Sequence, residues 1–178
     1  MQDSVPLGEG GMLAVLGMLF NEVEEEINLV KNNGICEIAN DNSNGQIVIS
    51  GNKKAIEILH ENLKKKRKKG IILPVSAPFH CSLMKKSAVV MKNKINASNF
   101  LMPKPSIISN VTAKEENDIN RIKPLLIDQI TSRVRWRESI EYMIKNGITN
   151  FLEIGPGKVL SGLVKKINKK VKIKNINN

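Results

Sequence analysis

Apolar positions along the chain follow two periods. Short apolar runs at 12–18, 46–50, 71–75 and 150–154 read as strands. Between them the spacing becomes helical. Val23, Ile27 and Val30 share one face of a segment at 22–31, which Asn21 is placed to cap and whose glutamates suit the positive end of the dipole. Ala55, Ile56, Leu59 and Leu63 mark a second helix over 53–69. It closes in the basic run 64–69, and Gly70 is expected to end it. Gly34 stops the first helix, and Cys36, Ile38 and Ala39 form a strand that the polar cluster 40–45 turns into 46–50. The second half predicts helices at 82–96, 124–130, 138–146 and 159–166, with a strand at 106–111.

The order strand, helix, strand, strand, helix, strand over 12–75 is that of a split βαβ, ferredoxin-like unit. Residues 1–11 are glycine-rich and read as a connector, and 168–178, rich in Lys and Asn, as a frayed tail. At 178 residues the chain holds one ordinary domain or two small ones. Aromatics are only 3%, so Ile, Leu, Val and Met must fill the core.

The 28 basic and 17 acidic side chains give a net charge of +11, which favours an anionic partner. Nucleic-acid modules pair a basic face with stacking aromatics, and Trp136, Tyr142 and the four phenylalanines are too dispersed for that. Cys36 and Cys81 have no metal-ligand spacing with His60 or His80, so no metal is expected, and unpaired thiols fit a reducing, cytoplasmic setting. The sequence shows no apolar run of membrane-spanning length and no secretory signal.

One stretch stands out for chemistry. An apolar run ends at Pro74, and Pro78 then stiffens the backbone directly before Phe79 and His80. An imidazole held there suits a general base, although on spacing alone a loop histidine bonded to a carbonyl is the more ordinary reading. Cys81 adjoins His80 but, as its neighbour, is expected to point elsewhere. The run GPGK at 155–158 is no phosphate loop, because Leu152 and Val159 stand where that motif needs Gly and Ser or Thr. No Gly-x-Ser-x-Gly elbow occurs.

Four blocks together are distinctive: Met1-Gln2 with the glycines after it, 40–51 (NDNSNGQIVISG), 75–84 (VSAPFHCSLM) and 150–163 (NFLEIGPGKVLSGL). With 107–111 and 128–136 they make the chain resemble, up to about residue 167, the C-terminal part of bacterial malonyl-CoA:acyl-carrier-protein transacylases. The resemblance implies an α/β fold with an α+β inserted unit: a ferredoxin-like small domain at 12–75, then the C-terminal part of an α/β-hydrolase-like acyltransferase domain at 76–167. It also implies malonyl transfer from coenzyme A to the phosphopantetheine thiol of acyl carrier protein, in fatty-acid biosynthesis, through a serine ester. On it, His80 matches the base and Gln129 the residue whose main-chain carbonyl orients that imidazole. Phe79 and Asn110 match substrate-lining positions. Lys64, Lys65, Lys66 and Arg67 are expected to face the acidic carrier protein, and no cofactor is implied.

The family's GHSxGE serine, its oxyanion-hole glutamine and its malonate-binding arginine have no counterpart here. The resemblance therefore implies a base that needs a separate N-terminal half. The alternative is a non-catalytic remnant or carrier-protein-binding module.

Overall fold

The structure, a computed structural model, describes residues 5, 6 and 8–177; Met1-Gln2 and part of the connector 1–11 lie outside them. Its centre is a four-stranded antiparallel sheet of β1 (Gly10–Leu16), β2 (Cys36–Ser43), β3 (Gln46–Asn52) and β4 (Lys69–Ile72), in the order β2-β3-β1-β4. Helices α1 (Phe20–Val30) and α2 (Lys53–Lys65) supply the two crossovers, so the connectivity is the split βαβ order. Alternation along the strands decides the faces. Leu13, Val15, Ile47 and Ile49 pack under α1 and α2 with Val23, Val30, Ile56, Leu59 and Leu63. On the opposite face Met12, Ala39 and Val48 form a smaller cluster that takes in Leu73 and Phe79.

Local ends differ from the expectation in instructive ways. Helix α1 begins at Phe20 with Leu19 as its cap residue, not Asn21, because the Glu22 carboxylate reaches back to accept the Leu19 N–H at 2.6 Å. Helix α2 stops at Lys65, ahead of most of the basic run. Lys68 N–H donates to the Leu63 carbonyl at 2.9 Å, with Arg67 in the left-handed region at φ 56°. Gly70 therefore does not end the helix. It lies in β4, where an added Cβ would sit 3.0 Å from the His60 ring.

Beyond the sheet, a 3-10 turn at Ser82–Met84 runs into α3 (Lys85–Ala97). Two short strands follow, β5 (Ile107–Ile108) and β6 (Glu115–Glu116), so the strand expected at 106–111 shrinks to two residues. Helix α4 (Ile119–Asp128) starts well ahead of Pro124, since the Asp118 side chain caps it by accepting from Asn120 N–H at 2.8 Å. Helix α5 (Trp136–Lys145) likewise starts two residues early. The frayed tail is replaced by structure: β7 (Asn150–Ile154), α6 (Val159–Ile167) and β8 (Lys172–Ile176) form a parallel βαβ unit with Phe151 opposite Ile173.

A backbone contact helps join the halves. Strand β2 is an edge of the large sheet, with a register shift between Ile38 and Asn40, and there its outer side pairs with Val134. Asp41 N–H donates to the Val134 carbonyl at 2.9 Å, and Val134 N–H to the Ala39 carbonyl at 2.8 Å.

Candidate active site

The segment after β4 brings His80 to a defined place. Ala77, Pro78 and Cys81 are buried, and the Cys81 thiol donates to the Pro78 carbonyl at 3.1 Å, closing a tight loop around Phe79 and His80. Pro78 in turn seats on β1: a Cβ at Gly10 would stand 2.4 Å from the Pro78 Cδ. Gly10→Ala must therefore push a rigid ring outward. The expected loss is about 1–3 kcal/mol, read as a lower urea midpoint.

His80 adopts φ 60°, a left-handed conformation that costs a non-glycine residue about 1–3 kcal/mol and persists only where its surroundings impose it. In this pose its Nδ1 lies 2.9 Å from the main-chain carbonyl of Gln129, at the C-terminal end of α4. A carbonyl oxygen can only accept, so Nδ1 carries the proton and the neutral ring keeps a lone pair on Nε2. Nε2 makes no hydrogen bond among the described residues, and the ring is half-buried. A ring with one nitrogen anchored and the other basic can accept a proton from a hydroxyl or thiol.

The other expected residues fall into three groups. Asn110 joins the His80–Gln129 pair, donating from Nδ2 to the Gln129 side-chain oxygen at 3.2 Å; both line a cavity of about 60 Å³ with Ile122, Leu125 and Leu126. Phe79, half-buried, packs against the Met12, Ala39 and Val48 cluster, so its ring anchors the loop. Lys64, Lys65, Lys66 and Arg67 sit at the end of α2. Two of them are already paired, Lys64 with Glu61 at 2.8 Å and Lys66 with Glu26 at 2.6 Å. The GPGK turn leads into α6, whose first amides are taken by Glu153: Leu160 and Ser161 N–H donate to its carboxylate at 3.1 and 2.8 Å. A carboxylate already there repels an anion.

The cysteines are set apart from the chemistry. Burial pushes the Cys36 thiol up from 9.0 to about 12, with Glu37 and Cys81 adding to it, and burial also raises Cys81. The folded chain then holds a proton that the unfolded chain releases, so stability falls as pH climbs from 9 toward 12. Each pH unit in that window is expected to remove up to about 1.4 kcal/mol, visible in urea midpoints taken on either side of its start. Among the described residues no group of three or more His, Cys, Asp or Glu is placed to hold a metal, and no helix is long and apolar enough to cross a membrane.

Sequence reasoning missed two contacts around this site, Glu37 with Ser82 and Asp41 with Arg137. For Glu37 the local signal was an acidic residue inside a strand, a position that strands disfavour unless a partner is waiting; Asp41 fell in the polar cluster 40–45 read as a turn, whereas β2 runs through it to Ser43.

A split βαβ sheet joined to a parallel βαβ unit defines the class: a mixed α/β protein. In sequence and fold the chain corresponds to the C-terminal part of malonyl CoA-acyl carrier protein transacylases. It is 44% identical over 174 residues to the malonyl CoA-acyl carrier protein transacylase of Bacillus subtilis (strain 168), covering 97% of this chain and 55% of that protein. The crystal structure of acyl-carrier-protein-S-malonyltransferase from Bartonella henselae matches with a TM-score of 0.96 and 46% identity, over 99% of this chain and 57% of that one. A type II PKS acyl-carrier protein in complex with its malonyl-transacylase matches with a TM-score of 0.92 and 33% identity, over 99% and 57%. No protein-family model matches. The chain thus spans little more than half the length of these relatives.

Proposed function

We propose that this chain supplies the general base of malonyl transfer from coenzyme A to acyl carrier protein. The observation that carries the reading is the 2.9 Å bond from His80 Nδ1–H to the Gln129 carbonyl, which leaves Nε2 basic. In the first half-reaction Nε2 takes the proton of a serine hydroxyl, and the oxygen attacks the malonyl thioester carbonyl. The C–S bond breaks, and the coenzyme A thiolate leaves with the proton that the imidazolium returns. In the second, Nε2 deprotonates the phosphopantetheine thiol of the carrier protein; sulfur attacks the ester, and the serine oxygen recovers the proton. The Gln129 carbonyl takes the orienting place of a triad carboxylate. The serine itself would come from a nucleophile-bearing polypeptide, such as a separate N-terminal half, since no Gly-x-Ser-x-Gly elbow is present in this sequence. On this reading residues 12–75 are the small domain, 76–167 belong to the acyltransferase domain, Asn110 contacts substrate and the protein works in the cytoplasm.

The test is malonyl transfer by the chain alone and combined with a polypeptide carrying the serine elbow. Transfer is expected only in the combination; a folded complex that transfers nothing overturns the reading. The match to a malonyl-transacylase complexed with an acyl-carrier protein supports the same partner here. Lys65 and Arg67 have no ion pair among the described residues, unlike Lys64 and Lys66. Reversing both to Glu is expected to slow association with an acidic carrier protein by about tenfold or more at low salt, read as kon. The match to a malonyl-transacylase complexed with an acyl-carrier protein also supports a second reading, a carrier-protein-binding module without catalysis. In that case carrier binding persists, no combination transfers malonyl, and His80→Ala changes nothing.

A further inference from the structure

We propose that Glu37, on β2, is a positioning residue that holds His80 in the tautomer a base requires. The inference rests on His80 acting as the base. The Glu37 carboxylate accepts from Ser82 twice, from its backbone N–H at 2.8 Å and its hydroxyl at 2.6 Å. Bonds to an ionised acceptor are the stronger kind, and two on one residue fix its orientation as well as its place. Ser82 lies two residues beyond His80, at the start of the 3-10 turn that leads into α3. The loop is thus clamped on both sides of the strained histidine, by the Pro78 seat on Gly10 before it and by Glu37 after it.

The same strand also governs the other half of the bond. Two to four residues past Glu37, β2 exchanges backbone hydrogen bonds between Ala39, Asp41 and Val134, which tethers the segment that follows Gln129. One strand therefore grips donor and acceptor of the His80–Gln129 pair together. Release of Ser82 frees His80 to leave φ 60°, and a ring that turns away from the carbonyl loses the constraint that keeps its proton on Nδ1.

The chain's two histidines make this measurable on the protein as it stands, without any transfer assay. In imidazole 15N NMR at neutral pH, wild-type His80 is expected as a single Nδ1–H tautomer. His60, 3.2 Å from the Gly70 carbonyl, serves as internal reference. Glu37→Ala is expected to abolish the single signature in favour of exchange between the two tautomers, with His60 unmoved. Glu37→Gln preserves volume but offers one acceptor to Ser82's two donors, so it shifts His80 in the same direction even if the alanine variant does not fold. A folded variant whose His80 spectrum matches wild type overturns the proposal while leaving the base assignment standing. A variant whose His80 tautomer shifts while malonyl transfer with the serine-bearing partner stays at the wild-type rate would do the reverse.

Discussion

Arg137→Met is expected to destabilise the fold by about 3–5 kcal/mol, seen as a large drop in the urea midpoint. Asp41, on β2, is only 1% exposed and receives Arg137 as a fork, Nη2 at 2.7 Å and Nε at 3.1 Å from its carboxylate. A methionine fills the volume of the stem and leaves that carboxylate buried with no hydrogen-bonded cation, Arg135 acting on it only from farther off. Glu141, which also accepts from Arg137 at 3.2 Å, is exposed and loses little. Asp41→Leu combined with Arg137→Met removes both charges and is expected to recover much of the loss. A single variant that costs less than about 1 kcal/mol would show that water reaches Asp41. The pair locks β2 to α5 beside the Val134 bridge, so this change should loosen the seam between the two halves of the chain.

His80→Ala is expected to lower malonyl transfer by about 10²–10⁴-fold in the presence of the serine-bearing partner, with the fold unchanged. Gln129→Ala makes the sharper comparison. It keeps the main-chain carbonyl that accepts from Nδ1 and deletes only the 3.2 Å bond to Asn110, so its effect should stay within about tenfold. If the two substitutions cost the same, the orienting group is not the carbonyl, and the site works differently.

Most of the elements are written locally. The apolar spacing of Ala55, Ile56, Leu59 and Leu63 specifies the buried face of α2, and alternation through Ile47 and Ile49 specifies which side of β3 meets it. The split βαβ order then follows from the sequence of those elements alone. The stiffened loop that carries His80 was legible as well, because Pro78 restricts its own backbone wherever the loop goes. By contrast, the alternation in Val171-Lys172-Ile173-Lys174 is too short, and too close to the Lys/Asn-rich end, to read as a strand; it becomes β8 because β7 offers it an edge across the α6 crossover. The stop of α2 at Lys65 belongs to the same group, as the pairing of Lys69 and Gly70 with Leu16 and Val15 claims those residues for the sheet.

What the chain determined by itself was its pattern: which segments turn, which face of each is apolar, and that an imidazole follows a stiffened loop. What only the tertiary structure decided was who meets whom. Ser82 finds Glu37 from 45 residues away, Gln129 lies 49 beyond His80, and Arg137 reaches Asp41 across 96. Backbone preference and periodicity act within a turn or two, whereas such partners are selected by the packing of whole elements, which no local window records.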